Sequence, residues 1–139
     1  MKPLLVKLGV ILIGLAIFGN TEAWGADWIL YNFDDLNIRY YDAETITRPS
    51  KDIVRVWVKW EYTYKGRIEI VKRLGEKYEN IDFTVALEEI NCSDKTKQNL
   101  SLDDYSKDGK TMFSTSGEYR WNYIVSRSAA EALYGAVCK

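Results

Sequence analysis

The side chains in this chain that could do chemistry are carboxylates, amines, hydroxyls and two thiols; histidine is absent from its 139 residues. Without histidine there is no Ser-His-Asp or Cys-His nucleophile system and no His-containing metal site. Two cysteines, Cys92 and Cys138, cannot build a Cys₄ zinc or iron–sulfur site within one chain. The carboxylates fall in adjacent pairs, Asp34-Asp35, Glu88-Glu89 and Asp103-Asp104. In an extended chain such neighbours point to opposite faces, so they do not converge on one substrate atom as a glycosidase pair must. Asp104-Tyr105-Ser106-Lys107-Asp108-Gly109 fits the first half of a calcium loop, but Thr115 stands where the loop's closing glutamate belongs. It reads better as an Asp-Gly hairpin turn. The chain therefore reads as a non-enzyme with no cofactor and no metal.

Binding chemistry is better represented. Arg55, Trp57 and Lys59 alternate along one strand face, and Lys65, Arg67, Lys72, Arg73 and Lys77 cluster downstream. Arg55, Trp57, Lys59, Arg67, Lys72 and Arg73 are the candidate contacts for a protein partner. Tyr and Trp are abundant, at ten and five, and both are favoured at protein interfaces. Each candidate has a plainer use: the cations as a solvated face, and Trp57 as core packed under the C-terminal helix, which is the expectation for it. A net charge of −1 implies no broad basic surface for nucleic acid. Asn91-Cys92-Ser93 and Asn99-Leu100-Ser101 match the glycosylation pattern, and chance is sufficient to explain both.

These residues must be positioned by one domain. Lys2 and Lys7 precede an apolar run from Leu8 to Gly19, which ends in small residues around Ala23-Trp24-Gly25-Ala26. That is the layout of a secretory signal peptide, and the run is too short for a bilayer span. Residues 1–25 are expected to be the signal and 26–139 a single exported domain, with cleavage after Ala23 as second choice. No cysteine lies near the cleavage region, so a lipoprotein is not expected. The destination is the periplasm, the cell surface or the medium. In such an oxidising compartment Cys92 and Cys138 are expected to form one disulfide, with an intermolecular bridge or two free thiols as alternatives. The loop-entropy model gives about 4 kcal/mol for a loop of that size.

Strands dominate the pattern. Residues 28–31, 36–41, 53–62, 81–90, 98–105 and 111–116 read as six strands. In 53–62, Val54, Val56, Val58, Trp60 and Tyr62 share one face, as in a half-buried antiparallel strand. Residues 47–50 read as a loop. Ile68, Val71, Leu74 and Tyr78 recur at roughly helical spacing and predict a short helix near 67–74. Ser128-Ala129-Ala130-Glu131 is a capping box, and Ala130, Leu133, Tyr134 and Val137 follow on one helical face with Cys138 beside them. The fold class is α+β and mainly β. It is an antiparallel sheet of about six strands, with a C-terminal helix packed across it and tied by the disulfide.

The residues also resemble a family. Tyr40-Tyr41-Asp42-Ala43-Glu44-Thr45-Ile46, Val54-Arg55-Val56-Trp57-Val58-Lys59, Glu89-Ile90-Asn91-Cys92, Trp121-Asn122-Tyr123-Ile124 and the helix ending in Cys138 occur in an order similar to the surface-adhesin protein E family of small exported bacterial envelope proteins. Ser126-Arg127-Ser128 lacks the proline of the family's pre-helix turn, and the lipid-acceptor cysteine of the founding adhesin is missing. The resemblance implies the sheet-and-helix fold and binding to matrix-type or envelope proteins. A periplasmic structural or accessory role is the alternative.

Overall fold

The computed structural model describes residues 27–139, so the expected signal peptide lies outside the described residues. Eight strands form one antiparallel sheet: β1 (Trp28–Phe33), β2 (Asn37–Asp42), β3 (Thr47–Ser50), β4 (Ile53–Tyr62), β5 (Ile81–Asn91), β6 (Thr96–Ser106), β7 (Thr111–Ser116) and β8 (Asn122–Tyr123). Six of them run in the order β1-β2-β4-β5-β6-β7, with β3 added to β4 and β8 to β6. Two helices, α1 (Tyr64–Leu74) and α2 (Ala129–Val137), and a 3-10 turn at Glu76–Tyr78 complete the domain.

The alternation in β4 sets the layers. Val54, Val56 and Val58 are fully buried, and their register partners Ile90, Glu88 and Ala86 on β5 point the same way. Leu133 and Val137 of α2 close on this face, with Ile124 and the partly buried Tyr31, Tyr41 and Trp60 around them. Burying each such aliphatic side chain contributes about 1.5–3 kcal/mol. Glu88 brings a buried charge to this face, and its carboxylate is met by the Lys97 ammonium at 3.2 Å.

The helix is stapled as expected. Cys92 and Cys138 form a disulfide with their Cα atoms 5.6 Å apart. Ser128 caps α2 by accepting from the Glu131 amide at 3.2 Å. Glu131 reaches back to the Arg127 amide at 3.0 Å, one residue beyond the position a standard capping box uses. Arg127 has φ 64°, which turns its N–H within reach of that carboxylate.

Two short strands and one helical turn depart from the sequence reading. Residues 47–50 form β3 rather than a loop, with Thr47 opposite Arg55 and Ser50 opposite Ile53. β2 pairs only with residues 58–62 of β4, which leaves the other half of that edge to be satisfied. Pro49 fits because β3 is itself an edge. In the same way β8 pairs with Thr96 and Lys97 of β6, beyond the reach of β7. Helix α1 begins at Tyr64, not at 67, because the Thr63 hydroxyl caps it by accepting from the Gly66 amide at 3.0 Å.

Candidate binding surface

The six candidate contacts divide between two faces. Arg55, Trp57 and Lys59 point away from the Val54–Val58 face, so Trp57 is half-buried on the side opposite α2 and does not pack beneath it. Arg55 faces Glu89 directly across β5 and donates from Nε and Nη2 to one carboxylate oxygen at 2.9 and 2.7 Å. Gln98 donates to the other oxygen at 2.9 Å. Glu89 is buried, and Arg55 is the cation that holds its charge there. Lys59 is likewise engaged, 4.9 Å from the Trp28 ring centre, 5.2 Å from that of Tyr40 and 3.7 Å from the Glu61 carboxylate.

The other three cations lie on α1. Gly66 and Ile70 face inward, and Gly66 sits so close to the Leu36 carbonyl that a Cβ there would lie 2.0 Å from its oxygen. Thr63 fixes this contact by donating its amide and its hydroxyl to the Leu36 carbonyl, at 3.0 and 3.2 Å. The helix therefore has one orientation on the sheet end, and its outer side is set. Tyr64, Ile68 and Val71, at i, i+4 and i+7, line a groove of about 340 Å³. Tyr64 is 74% exposed and Ile68 37%. Arg67, Lys72 and Lys107 line the same groove, with Glu79 as its one carboxylate. Lys107 comes from the β6–β7 turn, which is held near α1 by its amide bond to the Asn80 carbonyl at 3.2 Å.

Arg67 also donates to the Tyr62 carbonyl at 3.3 Å, and Lys72 stands 3.7 Å from Glu69. Arg73 is exposed and makes no ion pair among the described residues. The structure thus joins Arg67 and Lys72 in one groove and keeps Arg55, Trp57 and Lys59 apart from it. Sequence reasoning missed Tyr64 and Lys107. Tyr64 carried a signal, its helical spacing to Ile68 and Val71, but Gly66 obscured it.

On the inner face a buried polar line runs from Tyr62 through Thr84 to Asp104. The Tyr62 and Thr84 hydroxyls are 2.9 Å apart, and Thr84 donates to Asp104 at 2.6 Å. Burial raises the Asp104 carboxyl above the usual range, the Thr84 bond opposes this, and Asp103 adds to it. Burial and Glu88 raise the Tyr31 hydroxyl well above the usual tyrosine range. Thr84 is 1% exposed, so a substrate has no direct approach to this line. The Asp104–Gly109 stretch is a hairpin turn in which Asp108 accepts from Ser106 and from the Lys110 amide. No three metal-ligating side chains converge among the described residues.

The strand order, the long β4–β5–β6 centre and a C-terminal helix joined by Cys138 to the end of β5 define the architecture. Residues 28–139 match the family described as surface-adhesin protein E. The chain belongs to that family. No curated protein sequence matches it. A solved structure, Haemophilus influenzae protein E, is similar over 81% of this chain and 84% of that chain, with a TM-score of 0.52 and 14% identity. At that identity the likeness is one of fold. Within this surface-adhesin protein E domain, the exposed groove is carried by α1 and the disulfide is carried by α2. Groove and staple are therefore carried by separate elements. Among the described residues no helix is long and apolar enough to cross a membrane.

Proposed function

We propose that this protein is an exported, non-catalytic binding module that docks an acidic, apolar-bearing segment of a protein partner in the α1 groove. The observation that carries this reading is the groove itself. An apolar floor of Tyr64, Ile68 and Val71 is flanked by Arg67, Lys72 and Lys107. Such a floor gives affinity, and the cations select an anionic partner and speed its encounter. Arg73, on the same helix, does not line the groove and is left out of the docking surface. Arg55 and Lys59 belong to the fold's own ion pairs and ring contacts, Trp57 is half-buried between them, and all three are left out of the docking surface. The adhesin family supports a binding role, and the leader-like residues 1–25 with the Cys92–Cys138 bridge support export.

Fluorescence anisotropy tests the docking. A labelled peptide with Glu and Asp flanking Leu and Phe should bind. Its counterpart with Lys in place of the acids should not. Reversing Arg67 and Lys72 to glutamate should weaken binding at least tenfold, and salt should weaken it too. Equal binding of both peptides would remove the groove from consideration. Protease treatment of intact cells, against a periplasmic control, tests the exported location. Cleavage with the control spared supports surface display. Survival of a chain that is cleavable when purified supports a periplasmic accessory role instead.

A further inference from the structure

The connection from β7 to β8 folds back along β6 and borders a second cavity of about 320 Å³. Its frame is rigid. Gly117 donates its amide to the Leu100 carbonyl at 2.9 Å and lies so close to β6 that a Cβ there would be 1.7 Å from the Asn99 carbonyl oxygen. Asn99, Ser116, Glu118, Arg120 and Asn122 line the cavity.

Some of the lining is engaged within the fold: Asn122 donates to the Arg120 carbonyl at 3.2 Å, and Lys97, also in the lining, is held by Glu88 at 3.2 Å. Asn99 Oδ1 is fully enclosed and has no hydrogen-bond partner among the described residues. A buried acceptor left unpaired costs about 1–3 kcal/mol, so a site that retains one holds a donor of some kind for it. The Glu118 carboxylate and the Arg120 guanidinium make no ion pair among the described residues, with each other or with any other group. The cavity therefore presents an amide, a carboxylate, a guanidinium and a hydroxyl together. Between the lining residues in sequence come Tyr119 and Trp121, which are 63% and 39% exposed.

We infer that this cavity is a saccharide-binding site. A sugar ring is the ligand class whose every hydroxyl both donates and accepts. Its hydroxyls can satisfy Asn99, Glu118, Arg120 and Ser116 at once, whether or not some of its units also carry a carboxylate. An exclusively anionic ligand would be repelled by Glu118, and an exclusively apolar one would strand Asn99 Oδ1 and both charges. This site is independent of the α1 groove, shares no residue with it and does not rest on a protein partner.

Isothermal titration of the purified exported chain with hexasaccharides, followed by amide chemical-shift mapping, tests the inference. One set of probes is GlcNAc–MurNAc oligomers, as found in the bacterial envelope. The other is hyaluronan and chitin hexamers, as presented by host or environmental surfaces. At least one probe should bind with a Kd on the order of 0.1–1 mM and shift amides in 97–99 and 115–122. Glu118→Gln and Arg120→Ala, both at exposed lining positions, should each weaken it at least threefold, and Asn99→Leu about tenfold. The preferred set assigns the source of the glycan. No binding by any probe at 10 mM, or binding unchanged in Glu118→Gln and Arg120→Ala, overturns the site. A shift map confined to α1 would also overturn it, without touching the groove's peptide assay.

Discussion

The Tyr134 hydroxyl donates to the Cys92 carbonyl at 3.0 Å, and one turn later Cys138 closes its disulfide on the same residue. Helix α2 is thus tied to the end of β5 by two links that share one anchor. The links differ in kind. The disulfide restricts the unfolded chain, whereas the hydrogen bond acts only in the fold.

Cys138→Ser should therefore cost several kcal/mol. The sequence separation of 46 residues corresponds to about 4 kcal/mol on the loop-entropy model. In thermal unfolding this should lower Tm by roughly 10 °C or more. Tyr134→Phe should cost about 1 kcal/mol. An unchanged Tm in the cysteine variant would mean that packing of Leu133 and Val137 alone holds the helix.

Gly66→Ala sets two effects against each other. Alanine is the better helix former by about 1 kcal/mol. Its Cβ, however, would lie 2.0 Å from the Leu36 oxygen, a backbone atom fixed by two bonds from Thr63. The clash should win, with a net loss of about 2–3 kcal/mol by chemical denaturation. It should also disturb the α1 groove, visible as weaker binding of the acidic peptide.

The same glycine explains what the sequence concealed. Gly66 reads as a breaker by propensity, yet its place is dictated by contact with a residue thirty positions earlier, which no local pattern reports. The period-2 runs of β4 and β5 were legible because burial on one face writes directly into side-chain type. The β3 and β8 segments were not, because they form to satisfy vacant edges of β4 and β6 rather than to bury side chains. For the site, the charges of α1 were legible as a cluster. Their union with Lys107 was not, since it depends on how the β6–β7 turn meets the residues after α1. Arg55, Trp57 and Lys59 looked alike on one strand face, and only the β5 partner revealed that Arg55 is committed to Glu89.

Asp104 should make the domain more stable as the medium turns acid. Burial raises its carboxyl above the unfolded value, so the folded state binds the proton more tightly than the unfolded state does. The penalty is fully present above the folded pKa and is relieved as pH falls toward the unfolded pKa. Asp104→Asn keeps an acceptor for Thr84 and removes the charge. Its Tm should exceed that of the parent at pH 7, and the gap should narrow toward pH 4. A lower Tm for the variant at pH 7 would mean that the Thr84 bond requires a carboxylate.

Arg55 offers the sharpest separation of a structural cation from a binding one. If it serves Glu89, Arg55→Met leaves a buried carboxylate with only Gln98 to solvate it, a loss of about 2–3 kcal/mol given that Arg55 itself is 42% exposed. Changing Glu89 to Gln in the same chain should restore most of that loss, because the charge that needed Arg55 is gone. Peptide binding in the α1 groove should be the same in both variants once each is measured below its Tm. A partner contact behaves oppositely: Arg55→Met would weaken binding with little change in stability, and Glu89→Gln would restore nothing. The double-mutant cycle, read in denaturant and in anisotropy, distinguishes the two roles by which observable shows the coupling.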